Sequence, residues 1–313
     1  MNYAPILIPT LCRFKHFKSC IESLLNNTGV ANTDLIIALD YPLKTPHFNG
    51  YYLIINYIDK IVGFKSVNVL KRTKNLGASI NSYRAIDEVF KKYDRLIYIE
   101  DDLIFSPNFL EFVNKGLQKF KNDDSIFAVS GYAFNLQKIK FGDNNYIKQG
   151  ISLPVYGLAI WRDRMEIYKK SYTNSLALRK ILNPFSLFKI LRHSASTFLF
   201  LLITVFKEEI FTDSSGSIYM FLEKKNVIQP TISKVKNLGW DGTGNNCRVD
   251  ESHALQEIDK DTHFNFTGNG NNYYETNNKL LLEGMRNYMP YSTMFGHLFR
   301  MIIYRIKNKI KIF

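Results

Sequence analysis

Strand-like apolar runs and helical-period segments alternate through the first 130 residues, and that alternation limits the fold more than anything else in the chain. Residues 4–8 form a short apolar run, after which Phe14, Phe17, Ile21, Leu24 and Leu25 recur at helical spacing. Residues 34–39 (Asp-Leu-Ile-Ile-Ala-Leu) read as a buried strand, 51–61 as a helix and 67–70 as another strand. Ile80, Tyr83, Ile86, Val89 and Phe90 mark an amphipathic helix, and residues 95–99 a strand ending abruptly in Glu100-Asp101-Asp102. Ser106-Pro107 supplies a hydroxyl N-cap and a proline for the first helical position. The helix it opens carries Phe109, Val113, Leu117 and Phe120 on one face, and residues 126–129 close the series as a strand.

Such alternation predicts an α/β fold, a mainly parallel sheet with helices on both faces. Ligands bind such sheets beyond the carboxyl ends of the strands, which singles out the loops at 9–13, 40–46, 71–79 and 100–106. The first loop, Pro9-Thr10-Leu11-Cys12-Arg13, has no Gly-x-Gly-x-x-Gly, and no Gly-x-x-x-x-Gly-Lys-Ser/Thr occurs anywhere, so a dinucleotide-binding turn and a P-loop are both disfavoured. From about residue 131 the alternation is lost. Residues 131–150 are polar, 153–161 apolar, 176–206 basic and hydrophobic with helical character, and 239–246 and 268–272 are loops rich in Gly and Asn. With no clean linker, the second half is expected to be built onto the first. Across the 313 residues, 46% hydrophobic and 14% aromatic content excludes a disordered chain. Three cysteines, Cys12, Cys20 and Cys247, are too few for a disulfide framework and point to a reducing compartment. The N-terminus lacks the basic start of a signal peptide, and no uncharged run reaches the length of a membrane-spanning helix.

Glu100-Asp101-Asp102 is the sharpest local feature. Packing three carboxylates together costs repulsion unless a cation compensates. Their oxygens suit a hard divalent ion, Mg²⁺ or Mn²⁺, that also takes phosphate oxygens; a solvated acidic turn is the alternative. Asp40 ends a second strand, and Lys74-Asn75-Leu76-Gly77 places a polar turn at the same sheet edge. Acids on two neighbouring strands can grip a nucleotide, one at the base and one at metal-bound phosphates. An Asx turn before Pro42 accounts for Asp40 equally well. Cys247, His253 and His263 fit no zinc spacing.

Residues 3–130 resemble the GT-A nucleotide-sugar glycosyltransferases, with Glu100-Asp101-Asp102 in place of their Asp-x-Asp motif. The likeness is closer to the N-acetylglucosaminyltransferases that initiate complex N-glycans and to related bacterial sugar transferases. Their string Glu-Asp-Asp-Leu-x-x-x-Pro-x-Phe is matched by Glu100, Asp101, Asp102, Leu103, Pro107 and Phe109. Arg13, Asp40 and Tyr83-Arg84 match single positions. The stretch from Tyr156 to Trp161 resembles the segment that shapes the donor and acceptor cleft, and Pro230, Ser233 and Gly239 a later loop. The acid upstream of that proline is Asp213, where the family carries its catalytic carboxylate, although the family's Trp-Asp-Asp-Trp is Phe211-Thr212-Asp213-Ser214 here. Residues 176–206 are an insertion.

The resemblance implies a GT-A fold and inverting transfer from a UDP-sugar, with GlcNAc weighted first by family. It divides the chain into a nucleotide-sugar half (1–130), an acceptor-side half (131–293) with a helical insertion at about 176–210, and a tail (294–313). It implies Asp102 as the ligand of Mn²⁺ or Mg²⁺, and Thr10, Arg13, Asp40, Asn75, Arg84, Glu100 and Asp101 on the nucleotide sugar, Arg13 and Asp40 at its uracil end. Asp213 is implied as the base, with Asp241 in the loop Trp240-Asp241-Gly242-Thr243-Gly244 as its alternative.

A net charge of +13 favours anionic partners. Beyond Glu283 there is no acid. If the tail is helical, Phe295, Phe299, Ile302, Ile306, Ile310 and Phe313 share one face with Arg300, Lys307 and Lys311 opposite, the pattern of a helix lying in an anionic membrane interface. Lys180 to Arg192, running into apolar 194–206, reads either as a second membrane contact or as helix packed on the core. The expected setting is cytoplasmic, peripheral on the inner face of the cell membrane, with a lipid-linked or surface-glycan acceptor. A non-catalytic basic module binding nucleic acid or anionic lipid is the competing function, and a nucleotidyltransferase a third. No nucleic-acid-binding motif is present, and the cations gather in the insertion and tail.

Overall fold

The computed structural model describes residues 3–133, 142–150, 152–193, 198, 201–202, 213–243, 256–270, 296 and 299, with backbone alone at 174, 191–193, 213 and 214. Strands β1 (Ile6–Thr10), β2 (Asp34–Leu39), β3 (Ser66–Val69), β4 (Arg95–Tyr98), β6 (Ile126–Ser130), β7 (Tyr146–Gln149), β8 (Leu158–Trp161) and β9 (Asn226–Pro230) form one sheet. Its order is β3-β2-β1-β4-β8-β6-β9-β7. Strands β1 to β4 are parallel, as are β6 and β9, while β8 and β7 run against their neighbours. This is the mainly parallel α/β architecture that the alternation predicts.

Every residue of β2 is buried, as expected of a strand covered on both faces. Successive side chains of β1 and β2 alternate between two cores. Ile6, Ile8, Leu35 and Ile37 meet α1 (Phe14–Leu25), α2 (Thr45–Ile58) and α4 (Phe109–Lys119). Leu7, Ile36 and Ala38 meet α3 (Ala78–Phe90), α5 (Arg162–Ser171) and α8 (Asp213–Glu223). Each fully buried Leu, Ile or Phe contributes about 1.5–3 kcal/mol, so both layers are needed. From β1 the chain steps outward through β2 to β3, then returns to place β4 on the other side of β1. The order reverses between β1 and β4, and a crevice at such a reversal is where open α/β sheets take ligand.

Several local expectations are corrected. The helix expected over 51–61 starts at Thr45, with Pro46 in its first turn, where the missing N–H is no loss. Ser106 does not cap α4: its hydroxyl donates to Asn108 Oδ1 (2.9 Å) and the helix starts at Phe109. The reason is long-range. β5 (Leu103–Phe105) pairs antiparallel with β10 (Val235–Asn237), and the Ser106 N–H donates to the Lys234 carbonyl. Trp161, at the end of the cleft-like segment, pairs opposite Arg95 at the far end of β4 and is buried under the Arg164 guanidinium, 3.5 Å from its ring centre. This one is no correction: the sequence favours Trp161 as core over a sugar-stacking platform, and it is a core residue.

The insertion contains a helical hairpin, α6 (Asn174–Leu182) and α7 (Pro184–His193). Thr173 Oγ1 accepts from the Leu176 N–H (3.2 Å) at the start of α6, and Asn183 Oδ1 accepts from the Ser186 N–H (3.0 Å) at the corner, both ordinary N-caps. The tail at 294–313 lies outside the described residues, apart from Gly296 and Phe299. Among the described residues no helix is long and apolar enough to cross a membrane.

Candidate active site

The crevice between β1 and β4 has Thr10 and Arg13 on one wall and the acidic turn on the other. Asp101 accepts the Thr10 hydroxyl (2.7 Å) and the Arg13 guanidinium, and Arg13 Nη2 also reaches Asp102 Oδ2 at 2.8 Å. Arg13, expected at the uracil end, therefore forks across the acid pair. Both aspartates are buried. Burial pushes the Asp101 carboxyl up, Arg13 pulls it back, and the neighbouring Asp102 charge pushes again. Burial works against the Arg13 cation, but the two carboxylates overcome it and raise its pKa above that of an ordinary arginine. Asp102 Oδ1 is buried and has no hydrogen-bond partner, and leaving such an oxygen unpaired costs about 1–3 kcal/mol or more. Glu100 is half-buried, and its carbonyl accepts the Cys20 thiol (3.6 Å).

The loop after β10 closes over this pair. The Leu238 N–H donates to the Asp102 carbonyl (2.9 Å) and the Gly239 N–H to Asn237 Oδ1 (2.7 Å). A Cβ on Gly239 would sit 2.0 Å from Asp102 Oδ2, so only glycine allows this approach. Gly239→Ala is expected to displace the Asp102 carboxylate. If the acid pair holds a divalent cation, a Mn²⁺ titration should show affinity lowered by about 10–100-fold in this variant, with the far-ultraviolet spectrum unchanged.

Asp40 directly follows β2, which is not the neighbour of β4 that the sequence suggests, since β1 lies between them, and its oxygens are already engaged. Oδ1 accepts from Tyr41 and Leu76 N–H (both 2.9 Å), and Oδ2 from Gly77 N–H (2.9 Å) and, more distantly, Asn75 Nδ2 (3.4 Å). Asn75 donates more closely to the Tyr41 carbonyl (2.6 Å). Asp40 thus shapes the loop that starts α3, and Gly77, at φ +77°, supplies the left-handed turn. Arg84 stands on the exposed side of α3 and makes no ion pair with these acids.

Sequence reasoning missed Arg72, whose Nε and Nη1 bond Asn81 Oδ1 and Glu88 Oε1 (both 2.8 Å) while its Nη2 is buried without a partner. It also missed the Gly239 contact, for which a signal existed. The string Lys-Asn-Leu-Gly occurs at 74–77 and again at 236–239, and each copy clasps an aspartate at the sheet edge, Asp40 in one case and Asp102 in the other.

Of the two candidate bases, Asp241 accepts the N–H (2.9 Å) and hydroxyl (2.7 Å) of Thr243 and faces His16 Nε2 at 3.1 Å. The Thr243 hydroxyl foremost, with its N–H and His16 assisting, holds the Asp241 carboxyl below its ordinary value. Asp213 is the first residue of α8, and its side chain lies outside the described residues. The helix's first turns are tied by Tyr168 OH to Ser215 Oγ and by the Leu153 N–H to Ser217 Oγ (both 2.8 Å). α8 leads directly into β9. Cys247 and His253 lie outside the described residues, and His263 is exposed beside Glu111.

Among the described residues no three His, Cys, Asp or Glu side chains converge as a metal cluster. What is present is one carboxylate oxygen of Asp102 with an unused lone pair. That fits a hard cation with few protein ligands whose other positions go to phosphate oxygens and water.

No family model matches the chain, and no curated protein matches it in sequence. Among solved structures it is similar to the mannosyltransferase PcManGT from Pyrobaculum calidifontis in complex with GDP-Man and Mn²⁺, at 10% identity and a TM-score of 0.41, over 70% of each chain. It is also similar to S. aureus TarS, at 11% identity and a TM-score of 0.31, over 41% of this chain and 21% of that one. For TarS 1–349 the values are 9% and 0.37, over 54% and 49%. The match thus spans about a fifth of the longer TarS chain and about half of the shorter.

Proposed function

We propose that this protein is a metal-dependent inverting glycosyltransferase of the GT-A type, moving a sugar, GlcNAc first among the candidates, from a UDP-sugar to a hydroxyl of a lipid-linked or surface-glycan acceptor. The observation that carries this reading is the buried Asp101–Asp102 pair facing Arg13 across the switch point, with one Asp102 oxygen unpaired. A solvated acidic turn gains nothing by burying two adjacent carboxylates, whereas a site for a cation and a diphosphate needs charge held in low dielectric.

In this proposal Asp102 holds Mn²⁺ or Mg²⁺, which when bound offsets the charge building on the leaving UDP. Arg13 has guanidinium donors beyond those used on the acids and turns them to the diphosphate, while Thr10 and Asp101 keep that wall in place. Glu100 accepts from ribose hydroxyls. Asp40 acts through the loop it shapes, with Asn75 and the exposed Tyr41 ring at the base end; Arg84 is assigned an outer contact. Asp213 takes the proton of the acceptor hydroxyl as that oxygen attacks the anomeric carbon and the bond to UDP breaks, a contribution of about 10²–10⁴-fold. Asp241 ranks second because a carboxylate already stabilised by Thr243 is a weaker base. The proposed setting is the cytoplasmic face of the membrane, with the basic tail as an anchor.

Thermal stabilisation separates this from a basic binding module. UDP with Mn²⁺ should raise the melting temperature, as ligand at a hundred times its Kd contributes about 2.7 kcal/mol, and UDP without metal should do less. Stabilisation by single-stranded DNA, with none by UDP and Mn²⁺, would transfer the assignment to nucleic-acid binding.

A further inference from the structure

The α6–α7 hairpin presents a surface that the transfer reaction does not use. Its inner side belongs to the core: Ala177 and Ile190 are buried and Ile181 packs beside them, in the cluster that holds Tyr168, Tyr172 and Ile218. Its outer side is apolar and bare. Leu178 and Leu182 stand one turn apart on α6, Phe185 and Phe188 one turn apart on α7, and all four are exposed, Leu182 at 71% and Phe185 at 82%. The N-cap at Asn183 fixes the corner between the two helices, and that at Thr173 the start of α6.

Cations surround this ridge. Arg179 and Lys189 are exposed and Lys180 half-buried, and none forms an ion pair among the described residues. From residue 167 to 206 the sequence has six Lys or Arg and no acid. The nearest acids on the preceding helix, Asp163 and Glu166, lie before this run, and Lys169 is the one that turns inward, to Asp87.

We propose that the α6–α7 ridge docks into an anionic lipid surface, with Leu178, Leu182, Phe185 and Phe188 entering the acyl boundary and Arg179, Lys180 and Lys189 meeting lipid phosphates. The charge decides the occupant. An anionic bilayer offers apolar depth and negative heads together. A second copy of the ridge would oppose like charges. So would the rest of this chain, since residues 271–313 carry seven Lys or Arg against two acids. α5 starts at the far edge of the sheet, where the Arg162 N–H donates to the Asp94 carbonyl, and its ten residues span about 15 Å of helix before the hairpin begins. Docking there would keep the protein at the surface that holds a lipid-borne acceptor. That consequence rests on the proposed function; the docking itself does not.

The test uses the full chain and vesicles of phosphatidylglycerol or phosphatidylcholine. Flotation should show binding to phosphatidylglycerol and little to phosphatidylcholine. Phe185→Ser with Phe188→Ser should lower that partition by about tenfold or more, with an unchanged melting temperature, since both rings are exposed. A site-specific measurement separates hairpin from tail. In Phe185→Trp, brominated phosphatidylglycerol should quench the introduced indole beyond the signal of Trp161 and Trp240. Bound protein with an unquenched indole would overturn the proposal and leave attachment to the tail. Equal binding by the Ser double variant, equal partition onto neutral vesicles, no vesicle binding at all, or a dimer that the Ser substitutions dissociate would each overturn it too.

Discussion

Asp102→Ala is expected to leave a folded protein that has lost sugar transfer and the metal-dependent part of its affinity for UDP. The side chain's only described ion-pair partner is Arg13, which keeps Asp101 when Asp102 is removed. Deletion also removes a buried oxygen that has no partner, so the desolvation cost of that charge is relieved and the melting temperature should not fall. Function depends on the same oxygen in the opposite sense. If it holds the cation that faces the diphosphate, its removal withdraws charge stabilisation that grows toward the transition state, a loss of about 10²–10³-fold or more. Calorimetric titration of UDP with and without Mn²⁺, together with a transfer assay, makes the check. Wild-type Mn²⁺-dependent affinity in the variant would remove Asp102 from the metal site.

The second large effect is expected at Asp213, on the acceptor rather than the donor. Asp213→Asn keeps size and most hydrogen bonding but cannot accept a proton. Transfer should fall by about 10²-fold or more, with UDP and metal affinities near wild type. Asp213 opens α8, so a purely structural role is a sharp alternative with a different outcome. Asparagine serves a helix N-terminus about as well as aspartate, and a capping residue so replaced would be nearly silent in both rate and stability. An active Asp213→Asn protein would move the base to Asp241, two residues beyond the Gly239 that touches Asp102. In that event Asp241→Asn should carry the loss, and the crossing of the two variants tells base from cap.

Local periodicity dictated most of the first half. The apolar run at 34–39 became the wholly buried β2, and the helical spacing of Phe17, Ile21 and Leu24 became the buried face of α1. Glu100-Asp101-Asp102 fell at a sheet edge because polar residues directly after an apolar strand have nowhere else to lie. These outcomes follow from side-chain direction, which repeats every two residues in a strand and every 3.6 in a helix and so is written in neighbouring positions. What periodicity does not contain is which elements meet. That Arg13 forks across Asp101 and Asp102, that β10 pairs with β5 and moves the start of α4 to Phe109, and that Gly239 alone fits against Asp102 were settled by contacts between segments far apart in the chain. The same holds for the α6–α7 hairpin: its composition suits a core or a membrane equally, and only the packing of Ala177 and Ile190 inward determines that Phe185 and Phe188 face outward.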